Sequence, residues 1–353
     1  MENDLLIKVE SSIQKLKEKS CKIFFLVQDT KGNAKGSIRQ TYEICKSLND
    51  NGFNAIIIYE SNDYVGVKDW MGEDYVNLPH ESIENQNLKI SPEDFIVIPE
   101  IFGHVLEQIA DMSCGKIISC QAYDNMMETL QPGLSWSDYG FLKCITTSEE
   151  QKTQIESVMK NVTFDVIEPY ISPIFSEKEK PSKPIVSIHT RDQRDTMKII
   201  KTFYLKYPQY RWVTFRDMRG LNQEEFSEYL KDSFVSVWVD DVSGFGTYPI
   251  ESMMCGTPVI GKIPNLKPGW MTENNGIWVD SFNSMVDVLA EFLQNWLEDN
   301  INEDLYEIIV NDSRKFSDYE SFSTNTKNIF EKYINLRLQT FEEQYKRLKE
   351  ENE

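Results

Sequence analysis

Apolar residues recur along the chain in two rhythms, short continuous runs and helical spacings, and the two alternate. Leu5, Leu6, Val9, Ile13 and Leu16 stand at helical spacing, which predicts an amphipathic helix over residues 1–20. Residues 23–27 are apolar throughout, the pattern of a strand buried on both faces of a parallel sheet. A polar, glycine-containing loop over 28–36 leads into a helix through Tyr42, Ile44, Cys45 and Leu48, which Asn51 and Gly52 end. A second apolar run at 54–59 completes a β-α-β unit. The alternation continues with strands at 95–98, 116–120, 144–146 and 164–167. Helices are expected between them at 105–112 and at 148–159, the latter with Ser148 as N-cap.

Residues 168–184 break the pattern, with Pro169, Pro173, Pro181 and Pro184 set among Ser, Glu and Lys. A fresh alternation follows: strands at 185–188, 212–215, 234–239 and 258–260, and helices at 196–205, 224–230 and 248–255. Long helical patterns run from about 281 to a highly charged end. The expected division is an N-terminal helix over 1–20, a first domain over 21–168 and a linker over 169–183. A second domain over 184–335 and a charged C-terminal helix over 336–353 complete it. The fold class is α/β, two Rossmann-like domains with parallel sheets facing an interdomain cleft and extra helices at both termini. Open α/β sheets bind ligands outside the carboxyl ends of their strands, so that cleft is the expected site.

Composition narrows the partners. The 353 residues are 40% hydrophobic and 27% charged, enough apolar mass for two cores, and the net charge is −20. Non-specific binding to duplex DNA, which relies on a basic face, is disfavoured. Six cysteines lie scattered without metal-ligand spacing and read as reduced core thiols. The acidic N-terminus lacks the basic and apolar regions of a signal peptide. No apolar run reaches the ~18 residues of a transmembrane helix. A cytoplasmic enzyme is expected.

The most informative segment is 243–261. Gly244 and Gly246 follow a predicted strand and open a helix, where close approach to a ligand needs residues without Cβ. The helix offers unpaired amides and a positive dipole end to a diphosphate. Glu251 stands one turn in, with two acceptor oxygens for the hydroxyls of a ribose, and Gly256 caps the far end. The whole segment resembles the donor-binding signature of GT-B glycosyltransferases, in particular the family-4-like retaining group.

The resemblance implies that Glu251 contacts the ribose of a nucleoside-diphosphate sugar, and that Gly244, Phe245, Gly246 and Thr247 line the diphosphate and sugar. Ser243 stands where that signature carries an acid for the donor sugar, and Asp240 or Asp241 would have to replace it. It further implies two cations after the first strand of the second domain: Arg194 aligns with the expected lysine, and Arg191 or His189 with the arginine. The alternative is that Arg191 and Arg194 pair with Asp192 and Asp195 in a solvated turn.

In the first domain, the loop 32–37 with Gly36 resembles the glycine-rich first loop of such enzymes and lacks P-loop spacing. Glu100, His104, Gln121 and Asp124 follow two strands and are candidates for the acceptor and sugar side. The resemblance implies an EC 2.4 hexosyl or glycosyltransferase that retains anomeric configuration and needs neither cofactor nor metal. A glycan or lipid-linked glycan is the favoured acceptor. A GT-B nucleotide-sugar epimerase and a catalytically silent nucleotide-sugar-binding protein are the rival readings.

Overall fold

The structure, a computed structural model, describes residues 2–177 and 183–351. Pro181 and the rest of 178–182 in the expected linker lie outside the described residues, as do the extreme ends 1 and 352–353. The described chain groups into two compact units. The first holds the residues up to Thr146, Gln154–Ile167 and those from Glu320 onward; the second holds Thr147–Thr153 and Glu168–Tyr319.

The chain opens with α1 (Glu2–Lys17), β1 (Lys22–Leu26), α2 (Gly36–Asp50), β2 (Asn54–Tyr59), α3 (Glu73–Val76) and β3 (His80–Ser82). Next come β4 (Phe95–Pro99), α4 (Gly103–Ile109), β5 (Gly115–Cys120), α5 (Tyr123–Thr129), β6 (Lys143–Thr146), α6 (Glu149–Val158) and β7 (Thr163–Val166). The seven strands pair in parallel in the order β3-β2-β1-β4-β5-β6-β7. Ile23, Phe24, Phe25 and Leu26 are all buried, which is why the interior strand β1 reads as an unbroken apolar run. Ser148 does cap the start of α6, since Gln151 N donates to its Oγ at 3.2 Å.

The second sheet is built from β8 (Ile185–Thr190), α7 (Gln193–Lys206), β9 (Thr214–Asp217), α8 (Gln223–Lys231), β10 (Val235–Val239), α9 (Thr247–Met254), β11 (Val259–Lys262) and β12 (Ile277–Val279). Its order is β12-β11-β10-β8-β9, again all parallel. Val235, Val237 and Val239 of β10 face one apolar layer, with Ile199, Phe203 and Leu289, while Trp238 faces the other, with Ile250, Met253 and Val259. Then follow α10 (Phe282–Leu297), α11 (Glu303–Arg314) and the single long helix α12 (Tyr319–Glu351).

From Glu320 onward α12 packs on the first unit. Phe330 lies 5.9 Å from Phe25, Tyr333 OH donates to Asp165, and Asn325 bonds the Val166 carbonyl. All six cysteines are free and buried, and burial raises the pKa of each thiol, to about 12 for Cys21 and Cys255. Among the described residues, no helix is long and apolar enough to cross a membrane.

Some elements differ from the sequence expectation. The helix expected at 196–205 starts three residues earlier, because Asp192 accepts from Arg194 N and caps it. The strand expected at 212–215 lies at Thr214–Asp217; Trp212 is half exposed, and its indole donates to the Gln209 carbonyl instead. The short strands β3 and β12 and the helix α5 were not expected.

Candidate functional site

In the second sheet, β8 lies between β9 and β10, so the chain leaves β8 to one side and returns to its other side. The crevice outside the carboxyl ends of β8 and β10 is therefore the switch point, where such sheets hold ligands. The strand ends there carry His189, Thr190 and Arg191 on one side and the loop 240–246 on the other.

Helix α9 is set onto this crevice by a layer of small polar side chains. Ser187 and Ser236, opposite each other on β8 and β10, share a 2.6 Å hydrogen bond, and Ser252 of α9 donates to Ser236 at 2.6 Å. Ser252 also bonds the Thr257 carbonyl, and Tyr248 OH donates to Ser187. Short side chains under the helix let it sit close to the sheet, and each buried hydroxyl is paired. At the far end Gly256 N reaches the Met253 carbonyl and Thr257 N the Ser252 carbonyl, a Schellman closure with Gly256 at φ +74°.

The amino end of α9 is a fixed turn. Gly246 takes φ +79°, and a Cβ there would lie 3.1 Å from Trp238 and 3.4 Å from Trp270. Trp270 donates its indole N–H to the Phe245 carbonyl at 2.7 Å, and Ser148 Oγ donates to the Gly244 carbonyl at 3.4 Å. Among the described residues no side chain caps α9, so the amides of its first turn are open to a ligand or water. Pro249 in that turn removes an amide that would have had no helical partner in any case. Glu251 lies one turn further in and is 3% exposed.

The charged residues sort differently from the sequence expectation. Arg194, expected as a phosphate cation, has an 85% exposed side chain and grips Asp192 through Nε at 2.8 Å and through Nη2. That pairing holds the Asp192 carboxyl down at about 2 and raises the guanidinium. Arg194 thus takes the solvated-turn arrangement, a consequence of the early start of α7. Arg191 reaches elsewhere: its guanidinium lies 3.6 Å from Asp240 across the switch point. Burial raises the Asp240 pKa, while Arg191 and the amides of Val242 and Ser243 favour its charged form. Asp240 thereby shapes the loop that carries Ser243, and Asp241 is bound by Lys262 at 2.6 Å.

His189 stacks on Tyr248 at 4.9 Å between centroids, and its Nδ1 is enclosed without a hydrogen-bond partner among the described residues. Burial, with the charge of Arg219 beside it, lowers its pKa to about 4, so the ring is neutral. Arg219 itself was missed by sequence reasoning. It donates to Thr196 Oγ1 at 3.0 Å, and Thr196 bonds Thr190 at the end of β8 at 2.6 Å. The misplacement of β9 hid it, since Arg219 follows the true strand end at Asp217.

In the first sheet the equivalent switch point lies between β1 and β4. Gly36, exposed, is the first residue of α2, whose amino end also has no side-chain cap. Gln121 after β5 donates to the Ser37 carbonyl at 3.0 Å, which joins two of the expected residues to one place. Glu100 is buried and spends Oε1 on Ala122 N and Asn125 Nδ2, both at 3.1 Å, so it anchors the start of α5. Burial raises its pKa. Asp124 is half-buried in the first turn of α5, and His104 is exposed against Phe102.

No protein-family model matches the sequence, and no curated protein matches it either. Solved structures match its fold. Sucrose-phosphate synthase from Thermosynechococcus elongatus superposes with a TM-score of 0.65 at 13% identity, over 90% of this chain and 100% of that one. HepE from Anabaena, in complex with UDP and glucose, gives 0.64 at 12% identity over 88% and 99%. The lipopolysaccharide outer core galactosyltransferase WaaB gives 0.60 at 13% identity over 88% and 100%. The fold is the GT-B fold of these glycosyltransferases.

Proposed function

We propose that the chain transfers a sugar from a nucleoside-diphosphate donor to an acceptor hydroxyl, with the donor seated at the amino end of α9. The observation that carries this reading is the uncapped α9 turn, headed by a left-handed Gly246 and set beside Arg191 at the switch point. The amides of Gly246 and Thr247 would hold the diphosphate, Arg191 would offset its charge, and Glu251 would take the ribose hydroxyls. Arg219 adds a second cation to that strand end, held there by Asp217 as Arg194 is held by Asp192, so either would have to loosen from its carboxylate to meet the diphosphate. The likeness to a fold solved with UDP and glucose bound supports a uridine donor.

The departing diphosphate is stabilised by these fixed donors, so the reaction proceeds without metal, and the acceptor attacks from the face the diphosphate leaves, with retention. A glycan or lipid-linked glycan is the acceptor class. Calorimetric titration with a panel of nucleotide sugars tests the donor: one should bind, and Glu251→Ala should weaken it by about ten-fold or more in a folded protein. Failure of every nucleotide sugar to bind would falsify the reading. Turnover in EDTA and the anomer formed, read by NMR, test the metal and stereochemical parts.

A catalytically silent nucleotide-sugar binder is the second reading. It is favoured by Ser243 and by the pairing of both nearby acids, Asp240 with Arg191 and Asp241 with Lys262. Donor binding without transfer or hydrolysis would select it.

A further inference from the structure

The first unit carries a cavity at the opposite end of its sheet from Gly36 and Gln121. It has a volume of about 390 Å³ and lies where β4, β5 and β6 begin, between those strand starts and α12. That size suits a small organic ligand. Phe95, Ile117 and Tyr333 lie buried behind it, and Leu142 and Leu336 present exposed apolar surface beside it.

Three cations line it: Lys116, Lys143 and Arg337. None of them forms an ion pair among the described residues. Lys116 bonds the Ala110 carbonyl, Arg337 bonds the carbonyls of Pro92 and Ser113, and Lys143 lies 5.1 Å over the ring of Tyr333. Of the nearby acids, Glu93 pairs with Lys15 and Asp165 with Lys332, while Asp111 acts on Lys116. Glu343 is the one carboxylate in the lining and is exposed. Burial lowers the pKa of all three cations, a desolvation that a bound anion would offset. In a chain of net charge −20, three cations without an ion pair among the described residues, beside exposed apolar surface, form a local exception.

We propose that this cavity is a second ligand site, one that takes a small phosphate monoester with an apolar or aromatic body. The cations would meet the phosphate dianion, and the exposed faces of Leu142 and Leu336 would take the body. A single carboxylate would satisfy the three cations less well than a dianion. The proposal is independent of the transferase reading, because its residues lie at the amino ends of the strands.

Phenyl phosphate serves as the probe, titrated calorimetrically into the full chain beside inorganic phosphate, benzoate and benzyl alcohol. Phenyl phosphate should bind saturably and about ten-fold or more tighter than each of the other three, given the usual strength of bonds to charged groups. The Lys116→Gln/Lys143→Gln double variant should weaken it by about ten-fold or more. Thr340→Glu, on the exposed side of α12 at the mouth, should weaken it as well without touching the core. Equal binding of inorganic phosphate, benzoate or benzyl alcohol would overturn the assignment of ligand class. Absence of saturable binding, or binding that Thr340→Glu leaves intact, would overturn the site itself.

Discussion

Helices α2 and α9 each follow a strand that borders a switch point, β1 in the first sheet and β10 in the second, yet they are fixed in different ways. The α9 turn is enclosed: Gly246 lies against two tryptophans, and the seat below is a closed set of serine hydrogen bonds. The α2 turn is exposed at Gly36 and tied by one side chain, Gln121. Its seat is less complete, since Glu43 is buried with one oxygen on Tyr75 and the other without a hydrogen-bond partner among the described residues. A phosphate cradle requires donors that do not move when charge arrives, and α9 meets that requirement.

The largest way to break the contrast is Gly246→Ala. The left-handed backbone costs about 1–2 kcal/mol for a residue with Cβ, before the contact with Trp238 is counted. Turnover with the best nucleotide sugar should fall by about 100-fold, the scale on which losing one fixed hydrogen-bond donor slows catalysis. Steady-state kinetics alongside thermal unfolding would separate a lost cradle from a lost fold.

Glu43→Gln sharpens the contrast in the other direction, by completing the seat of α2. Burial raises the Glu43 pKa from its ordinary 4.5 to about 7. The folded state therefore keeps a proton that the unfolded chain has already lost between those values, and wild-type stability falls as pH rises through that window. The glutamine variant should match the wild type below about pH 4.5 and exceed it above pH 7, by on the order of 1–3 kcal/mol. Urea unfolding at pH 4 and pH 8 reads the difference, and a variant less stable at pH 8 would contradict it.

Gly36→Ala should do the least. Gly36 has no positive φ among the glycines that take one, and it is exposed at the first position of a helix. Stability should move by no more than about 0.5 kcal/mol. A loss as large as that of Gly246→Ala would mean that the two turns are equally constrained.

The sheets were legible because their central strands are buried on both faces and read as apolar runs. The short edge strands were not: His80-Glu81-Ser82 carries no apolar signature and is a strand only because Ile57 to Tyr59 pair with it. At the site, the glycine turn and the Glu251 spacing are properties of one local segment and could be read from it. Arg194 and Glu100 depend on what lies beside them. A cap at Asp192 turned Arg194 outward, and the amides of α5 drew Glu100 inward. Arg219 was hidden by a two-residue error in a strand whose first half, Thr214 and Phe215, is partly exposed.

The buried thiols give each half of the molecule its own clock. Five cysteines belong to the first unit, and Cys255 belongs to the second. Because no thiol is exposed and each resists ionisation, alkylation under native conditions must wait for the surrounding structure to open. Timed alkylation followed by peptide mass spectrometry would then read the opening of α9 from Cys255 alone. The same sample would report the first unit, so donor binding at α9 would appear as a delay on one clock and not on the other.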